Sequence, residues 1–227
     1  MRLRPSGKAG PIAVSATTFA RYQREEAWIW EQMALTRARV AAGPADLAVE
    51  IEAAIRSVLT RPRDPGALVV EVADMRARLA EEFQTQSIWD AKHVRGGLVD
   101  IEFIAQYLQL RYAHARPEIL SPNTREALSG LRAAGVLAPD AAGDLIDALE
   151  LWQAVQHRVR LNIGEAITAL GGDDAPKPLR LAVHGVAGLD FEKLVDKMHS
   201  VAERVHEHFR EIVDEPAMAA RTGAARQ

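Results

Sequence analysis

The chain has 227 residues, of which 48% are hydrophobic and 26% charged, an ordinary globular composition rather than that of a disordered chain. Its net charge of −3 and pI near 6.2 give little support to a general DNA or RNA role, since such binders carry a basic face. No apolar run approaches the roughly 20 residues that span a bilayer, and nothing at the start reads as a signal peptide. The absence of cysteine excludes disulfides and thiolate zinc sites and fits the cytoplasm.

Residues 1–15, MRLRPSGKAGPIAVS, differ from everything that follows. Alternating Arg and Leu, a Pro-Ser-Gly-Lys turn and the β-branched Ile12 and Val14 predict two short strands joined by a Gly-rich turn. A two-stranded ribbon is marginal alone, so this segment reads as the edge of a sheet. From Thr17 the pattern is helical. Phe19, Tyr22, Trp30, Met33 and Ala34 predict a helix stopped at Gly43-Pro44, and Leu47, Ile51, Ala54, Ile55 and Val58 predict a second. Leu68, Val72, Met75, Leu79 and Phe83 stripe a third. After a loop around Trp89 and Gly96-Gly97, residues 98–113 are apolar on most sides and predict a central helix.

Ser121-Pro122 reads as a helix start, with a cap and then proline at the first helical position. That helix is expected to end near Gly135. Leu145, Leu149, Trp152, Gln156, Val159 and Ile163 mark a long helix, followed by a Gly-Gly-Asp-Asp loop at 171–174. Asp190 caps a last helix striped by Phe191, Leu194, Met198, Val201, Val205, Phe209 and Ile212. Beyond Pro216 the small and charged residues suggest a frayed tail.

Three groups of residues could carry chemistry. Arg2 and Arg4 alternate on the first strand and project to one face, where guanidinium groups can bind phosphate oxygens; Ser6, Gly7 and Lys8 could add donors from the turn. The alternative is an edge strand made soluble by its charges. Glu26, Trp30, Met33 and Arg37 share one helical face by spacing, so the acid and the base should pair or face a site. Arg39 lies in the same basic run. The third group is Gly96-Gly97-Leu98-Val99-Asp100-Ile101-Glu102. Asp-x-Glu after glycines looks like a metal-binding signature, but on a helix Asp100 and Glu102 point about 200° apart. Asp100 would sit in the first turn, where the helix dipole favours a carboxylate. Glu102, Gln106 and Gln109 form a polar stripe that is either hydrogen-bonded inside the bundle or lines a cleft. His199, His206 and His208 share one helix without the four-residue spacing of a helical metal pair.

MRLRPSGKAGPIAVS, Tyr22 and AWIWEQMALTRARVAAG (27–43) resemble the end of the nucleotidyltransferase domain of glutamine synthetase adenylyltransferases. WDAKHVRGGLVDIEFIAQYLQLRYA (89–113) and LELWQAVQHRVRL (149–161) resemble the helical domain that follows it, a type shared with PII uridylyltransferases. The resemblance implies a mainly α fold, a helical bundle over 44–214. It is preceded by a β-ribbon and helix over 1–43, left over from a truncated polymerase-β-like domain, and followed by a flexible tail over 215–227.

The resemblance further implies a parent enzyme that transfers AMP from ATP, with magnesium, to a tyrosine of glutamine synthetase and removes it by phosphorolysis. Its partners would be glutamine synthetase and PII signalling proteins, in the cytoplasm, without nucleic acid or membrane. On this resemblance Arg2, Arg4, Ser6, Gly7 and Lys8 are expected near nucleotide phosphates. Arg37, Arg39, Asp100 and Glu102 are expected at the helical face of a cleft. The chain reads as part of the C-terminal, transferase half. The family's Gly-Ser and Asp-x-Asp carboxylates, and a third just before Arg-Leu-Arg-Pro, do not occur in it, so no catalytic residue, bound metal or bound nucleotide is expected. His93-Val94-Arg95 stands where many relatives have an acidic residue. A docking module for glutamine synthetase or a PII protein, and a PII uridylyltransferase relative, are the alternatives.

Overall fold

The helical periodicity is realised as ten α-helices within residues 13–85, 87–162 and 176–224, the part of the chain that the computed structural model describes. In order they are α1 (Ala16–Glu25), α2 (Ile29–Leu35), α3 (Ala45–Leu59), α4 (Pro65–Phe83) and α5 (Leu98–Tyr112), then α6 (Thr124–Ala133), α7 (Pro139–Asn162), α8 (Lys177–Ala182), α9 (Phe191–Phe209) and α10 (Glu215–Ala224). No strand occurs among the described residues. The expected β-ribbon falls mostly on residues 1–12, outside the described part. Residues 13–15 lead unpaired into α1, where the Ser15 hydroxyl caps the helix by accepting from the Thr18 N–H at 3.2 Å.

α5 is central, as its nearly all-round apolar sequence requires. Ile101, Ile104, Tyr107 and Leu110 are fully buried, and α2, α4, α6, α7 and α9 pack around the helix. The stripe of α9, Leu194, Met198, Val201, Val205 and Phe209, is buried against α5 and α7. Arg63 ties three of these elements together. Its guanidinium donates to the Val58 carbonyl at 2.7 Å and the Leu59 carbonyl at 3.2 Å at the end of α3, and to Gln32 Oε1 of α2 at 2.8 Å. It also reaches the Leu110 carbonyl of α5 at 3.4 Å. The three backbone carbonyls lie in the last turns of α3 and α5, at the negative ends of helix dipoles, where a cation is favoured. Burial, with Arg61 beside it, lowers the Arg63 pKa to about 10, so it remains charged at neutral pH.

Three local expectations are corrected. The helix read across 17–43 is two helices and an irregular stretch. The Glu31 carboxylate turns back to accept the Trp28 N–H at 3.0 Å and the Tyr22 hydroxyl at 2.8 Å, which caps α2 and ends α1. The helix expected from Ser121-Pro122 begins at Thr124, because the Asn123 side chain caps it, accepting from Arg125 N–H at 2.9 Å and Glu126 N–H at 3.2 Å. Ser121 is held outside by Gln109 Oε1, which accepts its N–H at 2.9 Å.

The tail expected over 215–227 is helical as far as Ala224. One π-helical turn, Arg210–Asp214, carries α9 into α10, so that Pro216 enters near the start of the new helix, where its missing N–H disturbs little. Ala217 is fully buried, and Arg221 pairs with Asp74 of α4.

The loop before α5 is fixed at Gly96. Its φ of +79° lies in the left-handed region, and a Cβ there would sit 1.9 Å from the Ala202 carbonyl oxygen of α9. The Gly96 carbonyl accepts the Trp152 indole N–H at 3.0 Å, joining the same point to α7. Gly96→Ala should therefore combine backbone strain with a clash against backbone, costing about 2–5 kcal/mol in urea denaturation.

Candidate functional site

The N-terminus of α5 sorts the Asp100-Ile101-Glu102 signature into two environments. Asp100 is 0% exposed. Arg76 of α4, itself 2% exposed, donates from Nε to Asp100 Oδ1. Arg95 Nη1 approaches the same oxygen at 3.4 Å, and the Gly96 N–H donates to Oδ2 at 2.5 Å. Arg76 also reaches the His93 carbonyl at 3.3 Å. The carboxylate is thus satisfied by two guanidinium groups, a backbone N–H and the positive end of the helix dipole. Arg95 continues the chain of charges to Asp214 in the π-turn at 3.4 Å and lies over the Phe209 ring at 5.0 Å. Burial pushes the Asp214 carboxyl above its ordinary range, with Arg95 opposing the shift.

Glu102 points the other way. It pairs with Arg37 at 2.6 Å on the rim of a cleft of about 620 Å³ between α2, α4, α5 and residues 92–93. Trp30, Met75, Leu79, Phe83 and Phe103 supply apolar and aromatic surface, while Lys92, Glu82 and Gln106 supply polar groups. Phe83 stacks on His93 with centroids 3.8 Å apart, and His93 is steered by Asp90 at 3.1 Å.

The structure therefore brings Arg37 and Glu102 together at the cleft, with Trp30 and Gln106 in its lining, and places Asp100, Arg39 and Glu26 elsewhere. Asp100 is under the cleft floor, closed to a ligand by its own partners. Arg39 lines a separate hollow of about 220 Å³ with Glu52, Arg56 and Ser121. Arg2, Arg4, Ser6, Gly7 and Lys8 lie outside the described residues. Glu26, expected to pair with or face Arg37, is exposed at the end of α1; the buried acid nearby is Glu31.

Sequence reading passed over Arg76. The signal was present, because Val69, Val72, Ala73 and Arg76 recur on one buried helical face, where an arginine demands a buried partner. Magnesium does not fit the Asp-x-Glu pair: Asp100 has no free lone-pair direction toward the cleft, and Glu102 is turned away and already paired. Among the described residues no three His, Cys, Asp or Glu side chains are arranged to hold a metal ion.

Residues 1–54 match the glutamate-ammonia ligase adenylyltransferase family model, and residues 71–213 match the GlnD PII-uridylyltransferase model. A bifunctional glutamine synthetase adenylyltransferase/adenylyl-removing enzyme of Rhodopseudomonas palustris (strain TIE-1) is 43% identical over 214 residues, covering 94% of this chain and 21% of that protein. The chain belongs to the glutamine synthetase adenylyltransferase family. Its relatives of the same name in Bradyrhizobium diazoefficiens and Xanthobacter autotrophicus are 41% and 38% identical, over 94% and 96% of this chain. In those proteins the matched segment is 21% and 22% of the length, so the chain spans about a fifth of the curated relatives. Within this adenylyltransferase-family chain the two matched segments meet at the cleft, Arg37 coming from the first and Glu102 from the second. No helix among the described residues is long and apolar enough to cross a membrane.

Two outcomes separate structure from site. Asp100→Asn leaves Arg76 buried with its countercharge removed and should cost about 3–5 kcal/mol of folding stability by denaturant titration. Arg37→Ala breaks a half-exposed pair and should cost within about 1 kcal/mol, so any functional loss it causes would report on the cleft.

Proposed function

We propose that this chain is the helical module that adjoins the AMP-transfer centre of a glutamine synthetase adenylyltransferase, and that by itself it does not transfer AMP. The observation that carries the reading is the order of matches along one chain, adenylyltransferase-type over 1–54 and uridylyltransferase-type over 71–213. The parent activity would move AMP from ATP to a tyrosine of glutamine synthetase, with magnesium, in the cytoplasm. The chemistry of the described residues supports a non-catalytic role. Nucleotidyl transfer needs carboxylates converging on metal ions, whereas Asp100 here neutralises Arg76 and Arg95, and Glu102 neutralises Arg37. Arg2, Arg4, Ser6, Gly7 and Lys8 belong, on this reading, to the nucleotide-facing edge of the neighbouring domain.

Docking of glutamine synthetase or a PII protein is the second reading, favoured by an open cleft where both matched segments contribute side chains. Incubation of the purified chain with glutamine synthetase, labelled ATP and magnesium should give no labelled product, and metal-dependent labelling would overturn the main reading. Calorimetric titration with glutamine synthetase and with a PII protein checks the second, which heat from neither removes.

A further inference from the structure

The last helix is held differently from the one before it. Of residues 215–223 in α10 only Ala217 is buried, and Met218, its largest apolar side chain, is 63% exposed. α9 buries Leu194, Met198, Val201, Val205 and Phe209. Hydrophobic stabilisation follows the apolar area removed from water, and one alanine supplies little of it. A helix of 10 residues is also marginal on its own, so α10 depends on what it touches.

What it touches is α4. Ala220 lies beside Gly66, where an added Cβ would come 3.6 Å from the Ala220 Cβ, and Arg221 pairs with Asp74. Small residues let the two helices approach without burying large side chains. Asp74 and Arg221 are both about half-exposed, so their pair is weak and screened by salt. The base of α10 is fixed more firmly. Phe209 and Val213 are fully buried, and Arg95 holds Asp214 at 3.4 Å. Between these anchors and α10, the π-turn Arg210–Asp214 interrupts the regular α-helical hydrogen-bond ladder.

We propose that α10 is an arm that opens from α4 as a unit about the π-turn while the rest of the bundle stays folded, with the Asp74–Arg221 pair as its clasp. Opening uncovers the part of α4 that carries Gly66 and Asp74. It leaves Asp100 satisfied, because Arg76, Arg95 and the Gly96 N–H all lie on the bundle side of the hinge. Local openings cost less than global unfolding where little apolar surface is buried. The arm is independent of AMP transfer and of docking at the cleft.

The chain contains no cysteine, so one introduced thiol reports its own exposure alone. Ala217→Cys places it under α10, in the first turn, where fraying of the free end alone would not expose it. Ala105→Cys, at a position 1% exposed in α5, places it in the bundle core. The test is the rate at which uncharged iodoacetamide labels each folded variant, with and without Asp74→Ala, at low salt and at about 1 M salt. The Ala217→Cys thiol is expected to react roughly tenfold or more faster than the Ala105→Cys thiol. It should react roughly twofold or more faster again in Asp74→Ala or at high salt. If Ala105→Cys does not fold, Ala148→Cys, also 1% exposed, replaces it in α7. Equal rates under α10 and in the core, or a rate at Ala217→Cys that Asp74→Ala leaves unchanged, would overturn the proposal.

Discussion

At the N-terminus of α5 a carboxylate sits where no water reaches it, and the surrounding chain is arranged around that charge. Removing a carboxylate from water costs several kcal/mol even after relaxation, and the cost is offset only if every lone pair finds a partner. Asp100 finds Arg76 from α4, Arg95 and the Gly96 N–H from the preceding loop, and the dipole of its own helix. Through Arg95 the same network reaches Asp214, in the π-turn that joins α9 to α10. α4, the loop, α5 and the C-terminal helices are therefore held in one mutual arrangement. Gly96 adds steric precision, because its backbone lies against that of Ala202 with no room for a side chain.

That arrangement also shapes the open side of the molecule. The loop fixed by Asp100 presents Lys92 and His93 to the cleft, and α4 presents Phe83 opposite them. Because residues two apart on a helix diverge by about 200°, the same short signature serves two surfaces. Asp100 specifies the inside, and Glu102 meets Arg37 on the outside. The motif's resemblance to a metal-binding signature is thus a coincidence of spacing, resolved by helix geometry. The family relation gives this division a further sense: the segment carrying Arg37 and the segment carrying Glu102 match different family models and meet across the cleft.

Most helices and the central position of α5 could be read from periodicity, because burial on one face, or on all faces, leaves a direct pattern in the order of apolar residues. The Asp190 cap of α9 was equally legible, with its side chain accepting the Lys193 N–H at 2.9 Å. Where reading failed, a polar side chain had redirected the backbone. Glu31 divides α1 from α2, and Asn123 displaces Ser121 as a cap. Pro216, an apparent terminator, is accommodated by a π-turn because Ala217 and Arg221 have partners to reach on the far side. None of these choices alters the apolar period, so periodicity alone could not register them.

The sequence by itself determined a helical chain, its central helix and its family, since these follow from local pattern and from motifs carried in order. It also argued against a shared metal site at Asp100 and Glu102, because their spacing on a helix is fixed, although it placed both at the cleft. Only the tertiary structure decided which charges are paired. Arg76 lies 24 residues from Asp100, and Arg95 lies 119 from Asp214. Only the fold, too, gave the Gln109 carboxamide its partners, the Ser121 N–H and the Ala105 carbonyl. The physical reason is that an ion pair or a satisfied amide depends on what packs opposite, and packing is a property of distant segments brought together rather than of the order in which they occur.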